Sequence, residues 1–282
     1  MKFAAGCAIG CAILGVGFTA AGAALGAWEV GKEVLADTFI QQMEGVTMEW
    51  SVSALGADSW DNDWEEYSMP AEDEDYRVYE FENIKKIEAD LSTDQIYFSA
   101  YEGKTIRVET DGGNEIFRVK QEGDELKLKS LKKTHDCEIY VYYPEALELK
   151  EMNLEVSAGA IYLEDKLKAE ELEIEVGAGE LIADGELLAS EINLDVGTGT
   201  AVIEKITAAK IEAECGVGTL DIGLTGTESE YCYKVECGLG SVSIGEESYE
   251  GLSETIKVDR PDAKKELQVE CGLGDVTVTF EK

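Results

Sequence analysis

Basic residues, histidine and proline are all scarce in this 282-residue sequence. Lysine and arginine together number 24 against 60 aspartates and glutamates, so the formal net charge is −36. This balance argues against a nucleic-acid partner, because phosphate backbones are bound by basic patches. The single histidine, His135, leaves little room for acid–base or metal chemistry that depends on imidazole. With only 3 prolines but 29 glycines, the chain turns mainly on glycine.

Long hydrophobic runs are absent except near the N-terminus, where residues 3–28 carry no charged side chain. A membrane helix needs about 20 apolar residues, so this run predicts a single transmembrane anchor that makes the membrane a partner. A cleaved signal peptide is the alternative, with residues 21–23 (Ala-Gly-Ala) as the cleavage site. Because Lys2 precedes the run and acids follow it, the positive-inside rule places the remainder outside the cytoplasm. The predicted localisation is the cell membrane, single-pass, with an extracytoplasmic C-terminal domain.

Residues 29–80 form the predicted connection between this anchor and the rest of the chain. Apolar residues recur at helical spacing between positions 34 and 43, which predicts a short amphipathic helix at the membrane surface. The stretch 58–80 carries ten acids and a single base, Arg77. Repulsion among these acids favours an extended, solvated linker.

A twelve-residue pattern recurs through the second half of the chain. It reads apolar, any, apolar, acid, Val or Cys, Gly or Ser, any, Gly, any, apolar, any, apolar. A degenerate copy occupies residues 87–98, where Asp94 replaces the second glycine, and aspartate tolerates left-handed backbone angles. The starts of the later copies are 20, 20, 19, 22 and 34 residues apart. These copies occupy residues 152–163, 172–183, 192–203, 211–222, 233–244 and 267–278.

Each half of the pattern alternates apolar and polar residues, which is typical of a half-buried strand. The glycines between the halves mark a corner that needs a positive φ or a close backbone approach. A period near 20 residues indicates a solenoid. The predicted fold class is therefore all-β, a parallel β-solenoid of about 20 residues per coil over residues 81–282, preceded by the N-terminal transmembrane helix of residues 1–28. The predicted structural turn glycines are Gly159, Gly179, Gly199, Gly218, Gly240 and Gly274.

Stacked coils would turn each pattern position into a column of neighbouring side chains. Two apolar columns are predicted to point inward and form the core. The first contains Val156, Val176, Val196, Cys215, Cys237 and Cys271, and the second contains Ile161, Leu181, Ala201, Leu220, Val242 and Val276.

The two ends of the predicted solenoid depart from the repeat. Residues 99–150 contain short alternating strands that we expect to continue or cap the stack at its N-terminal end. The 34-residue spacing implies an inserted loop near residues 245–264. No capping element is evident after the last strand, residues 276–280, so two outcomes are open for its unpaired edge: the charges of Glu281 and Lys282 alone blunt it, or it pairs with another chain.

The fourth residue of the pattern is an acid in every copy, and its side chain is predicted to point outward. Stacked carboxylates about 4.8 Å apart repel one another by about 0.9 kcal/mol per pair in water. Two interpretations remain open: a stripe that binds Ca²⁺ or a cationic partner, or a solvated face that keeps the protein soluble. The stripe contains Asp90, Glu155, Glu175, Asp195, Glu214, Glu236 and Glu270.

The cysteines outside the anchor offer little chemistry of their own. Five are present there, without a CxxC motif, which argues against a disulfide or zinc framework. Those in the core column are interpreted as small buried hydrophobes, with a Cys215–Cys237 bridge as an alternative between adjacent strands. A nucleophile built from His135 and Cys137 is disfavoured, because no motif supplies an oxyanion hole.

The chain resembles a family of bacterial envelope proteins known as putative adhesins. The resemblance covers about residues 81–282 and rests on three features: 84–87 (Ile-Lys-Lys-Ile) with 90–93 (Asp-Leu-Ser-Thr), then 139–144 (Ile-Tyr-Val-Tyr-Tyr-Pro), then the serial Gly-x-Gly copies. It implies a membrane-anchored β-solenoid exposed at the cell surface. It implies no catalytic residues, and some relatives belong to envelope-stress systems.

The sequence therefore predicts a non-enzymatic surface protein, without a cofactor, that mediates adhesion or another envelope interaction. The first alternative is an envelope-stress sensor that binds a cationic ligand and passes its state to a membrane-protein partner. The weakest alternative is a β-helix enzyme acting on polysaccharide, because no acid cluster with a basic residue is evident on one face.

Overall fold

The computed structural model describes residues 76–131 and 136–281, with the side chains of 250–254 outside this description. The predicted anchor, nearly all of the predicted linker, and His135 therefore lie outside the described residues. The described part is all-β, with a single 3-10 turn at Glu228–Glu230. No helix in these two stretches has the length and apolar character needed to cross a membrane. The strands are β1 Arg77–Phe81, β2 Lys86–Leu91, β3 Gln95–Tyr101, β4 Ile106–Thr110, β5 Phe117–Glu122, β6 Glu125–Ser130, β7 Glu138–Pro144, β8 Leu149–Leu163, β9 Leu167–Leu188, β10 Glu191–Thr207, β11 Lys210–Thr225, β12 Tyr231–Ile244, β13 Glu247–Val258 and β14 Lys265–Glu281.

The repeat copies pair in parallel and in register. Each copy from β8 onward is one long strand that continues through its glycine corner, so that Val156 lies beside Val176 and Val176 beside Val196. The degenerate copy forms β2 and β3, which pair with the first and second halves of β8. The predicted stacking of equivalent pattern positions is thus present in the described residues.

The sheet is mixed, unlike the purely parallel sheet that the repeat predicts. At one end, β5 pairs antiparallel with β6, while β4 pairs antiparallel with β7 and β1 with β4. At the other end, β13 pairs antiparallel with β12. Residues 99–150 and 245–264, which do not fit the repeat, supply most of these antiparallel strands. Short turns join β5 to β6 and β12 to β13, which suffices for an antiparallel pair, whereas another parallel rung needs a long crossover.

The C-terminal strand does not form the edge of the sheet. Strand β14 lies between β11 and β12 and pairs in parallel with both. The expectation of an unpaired edge at residues 276–280 is therefore wrong, and the outer strand at this end is β13. The long connection that includes β13 allows the chain to double back and insert its last strand.

Arg260 anchors this returning connection. Its Nη1 donates to the backbone carbonyls of Glu228 at 2.9 Å and Tyr231 at 2.7 Å, and its Nη2 donates to Glu228 Oε1 at 2.6 Å. The guanidinium also lies 5.4 Å from the ring centroid of Tyr233. These contacts tie the segment before β14 to the start of β12.

At the opposite end, Asp94 organises the first corner. Its carboxylate is fully buried and accepts hydrogen bonds from the backbone N–H of Ser92 at 2.9 Å, the backbone N–H of Cys137 at 3.1 Å and the hydroxyl of Ser130. Among the described residues, Asn83 is the one non-glycine with a positive φ. Asp94 therefore replaces the glycine as a buried acceptor, and the left-handed conformation expected for it is wrong.

The predicted apolar columns form part of the buried core. Every member of both columns is at most 4% exposed. Because each rung buries its apolar residues against two neighbours, the stack contributes stability that no single rung could provide.

The corner glycines leave no room for a side chain. Five of the six have φ between +145° and +150°, which L-residues rarely adopt. A Cβ on Gly199 would lie 1.8 Å from the carbonyl oxygen of Gly179 in the preceding rung. Gly159 lacks the positive φ, but its Cβ would lie 2.0 Å from the carbonyl oxygen of Asp94. Close backbone approach therefore requires glycine at the corner.

Candidate acidic binding face

The predicted acidic residues form one continuous column on the outside of the sheet. Each of them lies in the half of its strand that precedes the corner, where alternation points every second side chain away from the core. The column runs across neighbouring strands in the order Asp90, Glu155, Glu175, Asp195, Glu214, Glu270 and Glu236. We call these residues the acidic column. The last two members are exchanged relative to the chain because β14 lies between β11 and β12.

Cationic partners occur at the ends of the column. Asp90 lies 2.7 Å from the Nζ of Lys129, and Glu236 lies 2.9 Å from the Nζ of Lys234. Glu270 accepts a hydrogen bond from Gln268 at 3.0 Å.

The middle of the column is not neutralised in this way. Within residues 76–131 and 136–281, no salt bridge reaches its four central members, Glu155, Glu175, Asp195 and Glu214. The negative charge is therefore concentrated over β8 to β11.

The pKa values of the four central carboxyls are raised above their ordinary values. Partial burial is the main cause for all four members. The pKa of Glu175 is raised further by Glu155 and Asp195, and that of Glu214 by Asp195 and Glu270. Both causes disfavour the charged form, so ionisation of the central column at neutral pH opposes folding.

Other side chains on the same face are mixed in charge. The column two residues earlier contains Asn193 between Glu173 and Glu212. The Oδ1 atom of Asn193 is buried and has no hydrogen-bond partner. Two residues further from the corner, Lys210 makes salt bridges to Glu191 at 2.8 Å and Glu212 at 3.0 Å. The acidic column is thus the uniformly anionic line on this face.

A line of carboxylates suits a partner with serially spaced positive charges better than a single chelated ion. In the described stretches, no group of three Asp, Glu, His or Cys side chains is placed to hold one metal ion. Ca²⁺ binding stays a prediction.

A row of tyrosines lies on the second strand half, beyond the corner. The ring of Tyr97 stacks between Tyr140 and Tyr162, with centroid distances of 4.9 and 4.6 Å. The row continues through Ile182 and Val202, which are partly exposed. This row was not predicted from the sequence, although Tyr97 and Tyr162 share one pattern position. Because the rings cover one another's faces, few ring faces remain free for stacking on a ligand.

Cys137 is a buried structural residue. Its side chain is 3% exposed, and burial together with the nearby Asp94 raises its pKa to about 12. The thiol is therefore protonated at neutral pH, which makes it a poor nucleophile.

The fold and face together define an all-β domain of stacked strands with a one-sided acidic column. No protein-family model matches the chain, and no curated protein matches it. Solved structures do resemble it. One is a putative cell adhesion protein from Clostridium sporogenes, at 15% identity and a TM-score of 0.39, covering 73% of this chain and 99% of that one.

Two further structures show the range of these similarities. A putative adhesin from Bacteroides fragilis is 14% identical with a TM-score of 0.39, and covers 72% of this chain and 95% of its own. A putative lipid binding protein from Parabacteroides distasonis is 12% identical with a TM-score of 0.24, and covers 73% of this chain and 96% of its own. At these identities and TM-scores, no function is transferred from these structures to the chain.

Proposed function

We propose that the chain is a non-enzymatic adhesion or envelope-interaction module at the bacterial cell surface. In this proposal the stacked strands form a β-solenoid held outside the cell by the anchor of residues 3–28. The acidic column is the binding surface, and its partner is a basic polypeptide segment of another envelope protein.

The observation that supports this proposal is that no salt bridge from any described residue reaches the centre of the column. The flanking rungs show that this face can accommodate lysine, since Lys129 and Lys234 neutralise the two ends. Repulsion among Glu155, Glu175 and Asp195 therefore persists where lysines could have removed it. A partner with positive charges spaced along an extended backbone would relieve this repulsion and gain affinity from several contacts at once.

A peptide titration tests the proposed surface. The full chain, in detergent at low salt, is titrated against a labelled oligolysine while fluorescence anisotropy is recorded. We expect the double variant Glu175→Gln/Asp195→Asn to raise Kd about fivefold, or about 1 kcal/mol. The matched control is Asp184→Asn/Glu204→Gln, which removes the same charge from exposed positions beyond the corner.

The two variants separate site binding from general attraction. Unchanged affinity in the control supports the acidic column as the site. Equal weakening in both variants contradicts the proposal, because the net charge of −36 would then attract the peptide without a defined surface. A parallel melting experiment with Ca²⁺ tests the metal alternative. A rise in Tm that is lost only in Glu175→Gln/Asp195→Asn would replace the peptide by Ca²⁺ as the ligand.

A further inference from the structure

Three buried cysteines form an unbroken line across the last three parallel strands. Cys215 of β11 lies in register with Cys271 of β14, which lies in register with Cys237 of β12. Their side chains are 2 to 4% exposed and continue the column that valine fills in β8, β9 and β10. Cys271 therefore has a thiol neighbour on each side.

The spacing of the strands permits a bond within this line. Adjacent strands lie about 4.8 Å apart, which falls within the Cα separation of about 4.4–6.8 Å found in disulfides. Cys215 and Cys237 are separated by a whole strand, at about twice that spacing, which exceeds the limit of about 7 Å. The Cys215–Cys237 bridge considered from the sequence is therefore wrong, because it requires these two strands to be neighbours.

We propose that this cysteine column is an oxidisable cross-linking site, at which one disulfide forms and always includes Cys271. Cys215 and Cys237 compete as its partner, so one thiol of the three stays reduced. The proposal does not depend on the function assigned to the acidic column.

The reaction is a thiol–disulfide exchange with an external disulfide. One protein thiolate attacks a sulfur of the oxidant and releases its first thiol, which leaves a mixed disulfide. The neighbouring protein thiol then loses its proton, attacks the protein sulfur of that mixed disulfide and releases the second thiol. Two protein thiols thus give up two electrons and two protons, and the oxidant disulfide is reduced to two thiols. The oxidant class is a disulfide oxidoreductase or a small disulfide such as oxidised glutathione.

The thiol–thiol contacts favour Cys215 as the first nucleophile. A hydrogen bond from Cys271 lowers the pKa of Cys215, and the same bond raises the pKa of Cys271. Burial raises the pKa of Cys237 to about 11. We therefore expect Cys215–Cys271 to be the main product once local opening admits the oxidant.

The identity of the bond also reports the order of the strands. If the rungs stacked in chain order, Cys237 would occupy the middle of the line, and Cys215–Cys237 would replace Cys215–Cys271 as an accessible pair. Because β14 lies between β11 and β12, the structure instead predicts a Cys215–Cys271 bond and no Cys215–Cys237 bond.

Peptide mapping of the full chain tests the proposal. The chain is treated with oxidised glutathione, its free thiols are alkylated in denaturant, and it is digested with a protease that cleaves after glutamate. Each of the three cysteines directly follows a glutamate, so they fall in separate peptides that mass spectrometry can pair. The variants are Cys215→Val, Cys237→Val and Cys271→Val, because valine already occupies this column in three other rungs.

We expect the Cys215–Cys271 peptide pair in the unaltered chain and in Cys237→Val. Cys215→Val should retain only Cys237–Cys271, at lower yield, and Cys271→Val should lose every cross-link within the column. A Cys215–Cys237 pair, a cross-link that survives in Cys271→Val, or no linked pair in the oxidised unaltered chain would overturn the proposal. Circular dichroism establishes that each variant is folded. If Cys271→Val fails to fold, retention of the bond in Cys237→Val decides the outcome.

Discussion

The middle of the stack and its two ends are stabilised differently. Strands β8, β9, β10 and β11 stack in chain order with nearly identical corners and apolar columns. At the ends, chain order and spatial order differ, and polar side chains such as Asp94 and Arg260 hold the irregular segments. A repeated rung shares its interactions with two equivalent neighbours, whereas an end segment relies on a few contacts that occur once. Substitutions should therefore act differently in the two regions.

The largest effect is expected at a corner in the middle. Gly199→Ala places a Cβ 1.8 Å from the carbonyl oxygen of Gly179, at a φ of +148°. We expect a loss of about 4 kcal/mol in the free energy of unfolding, because the neighbouring backbone must move. Urea denaturation measures it.

The control for this substitution is Gly113→Ala, whose Cβ would meet only the Arg77 Nη2 atom at 3.9 Å. It should change stability by less than about 0.5 kcal/mol. Equal effects of the two substitutions would show that the stack tolerates side chains at its corners.

The next largest effect is expected at the N-terminal end. Asp94→Ala leaves three hydrogen-bond donors without their acceptor, including the buried backbone N–H of Cys137. We expect a loss of about 3 kcal/mol, and faster hydrogen exchange at the Cys137 amide than at amides in β9. Asp94→Asn, which keeps one acceptor oxygen, should lose less. If hydrogen exchange accelerated equally at the amides of β9, this would contradict a role of Asp94 that is confined to the N-terminal end of the stack.

A smaller effect is expected at the opposite end. Arg260→Lys cannot reproduce the three hydrogen bonds to Glu228 and Tyr231, so we expect a loss of about 1.5 kcal/mol. Thermal denaturation measures the loss, and Lys264→Gln, a change of an exposed charge in the same connection, is the control. If both variants melt alike, the connection before β14 is held by something other than this guanidinium.

The smallest effect is expected in the acidic column, where the substitution should increase the free energy of unfolding instead of lowering it. The pKa of Glu175 is raised by burial and by its carboxylate neighbours, so the folded chain binds protons more readily than the unfolded chain. The contribution of this group to stability therefore rises as the pH falls from 7 toward its ordinary pKa of 4.5. Glu175→Gln should stabilise the fold at pH 7 by ~0.5 kcal/mol, and this gain should vanish in acid.

Denaturant unfolding at a series of pH values measures this gain. The control is Glu180→Gln, on the same strand but beyond the corner. A gain for Glu175→Gln that does not change with pH would show that repulsion in the column is not its cause.

Much of a single rung could be predicted from its own residues. The alternation around Val176 indicated which side chains are buried, and Gly177 and Gly179 indicated the corner. The outward position of the carboxylates followed from the same alternation, because side-chain direction in a strand is a local property. The tyrosine row was missed because Tyr140 lies outside the repeat and joins Tyr97 only through the pairing of β7 with β3.

The order of the rungs could not be predicted in this way. Every rung offers similar apolar columns and a similar glycine corner, so β11 could pair almost equally well with β12 or with β14. The length of the connection and contacts such as those of Arg260 distinguish these alternatives, and they join residues far apart in the chain. The antiparallel pairing of β13 depends on the same long-range choice.

The strand–corner–strand form of each rung, its buried columns and the outward line of acids all follow from short-range features of the amino-acid sequence. Long-range packing selects which rungs are neighbours, how antiparallel strands cover the two ends, and which carboxylates and cysteines meet. The reason is that alternation and glycine corners act within about twelve residues, whereas the choice among equivalent neighbours is a difference in free energy between whole arrangements of the chain.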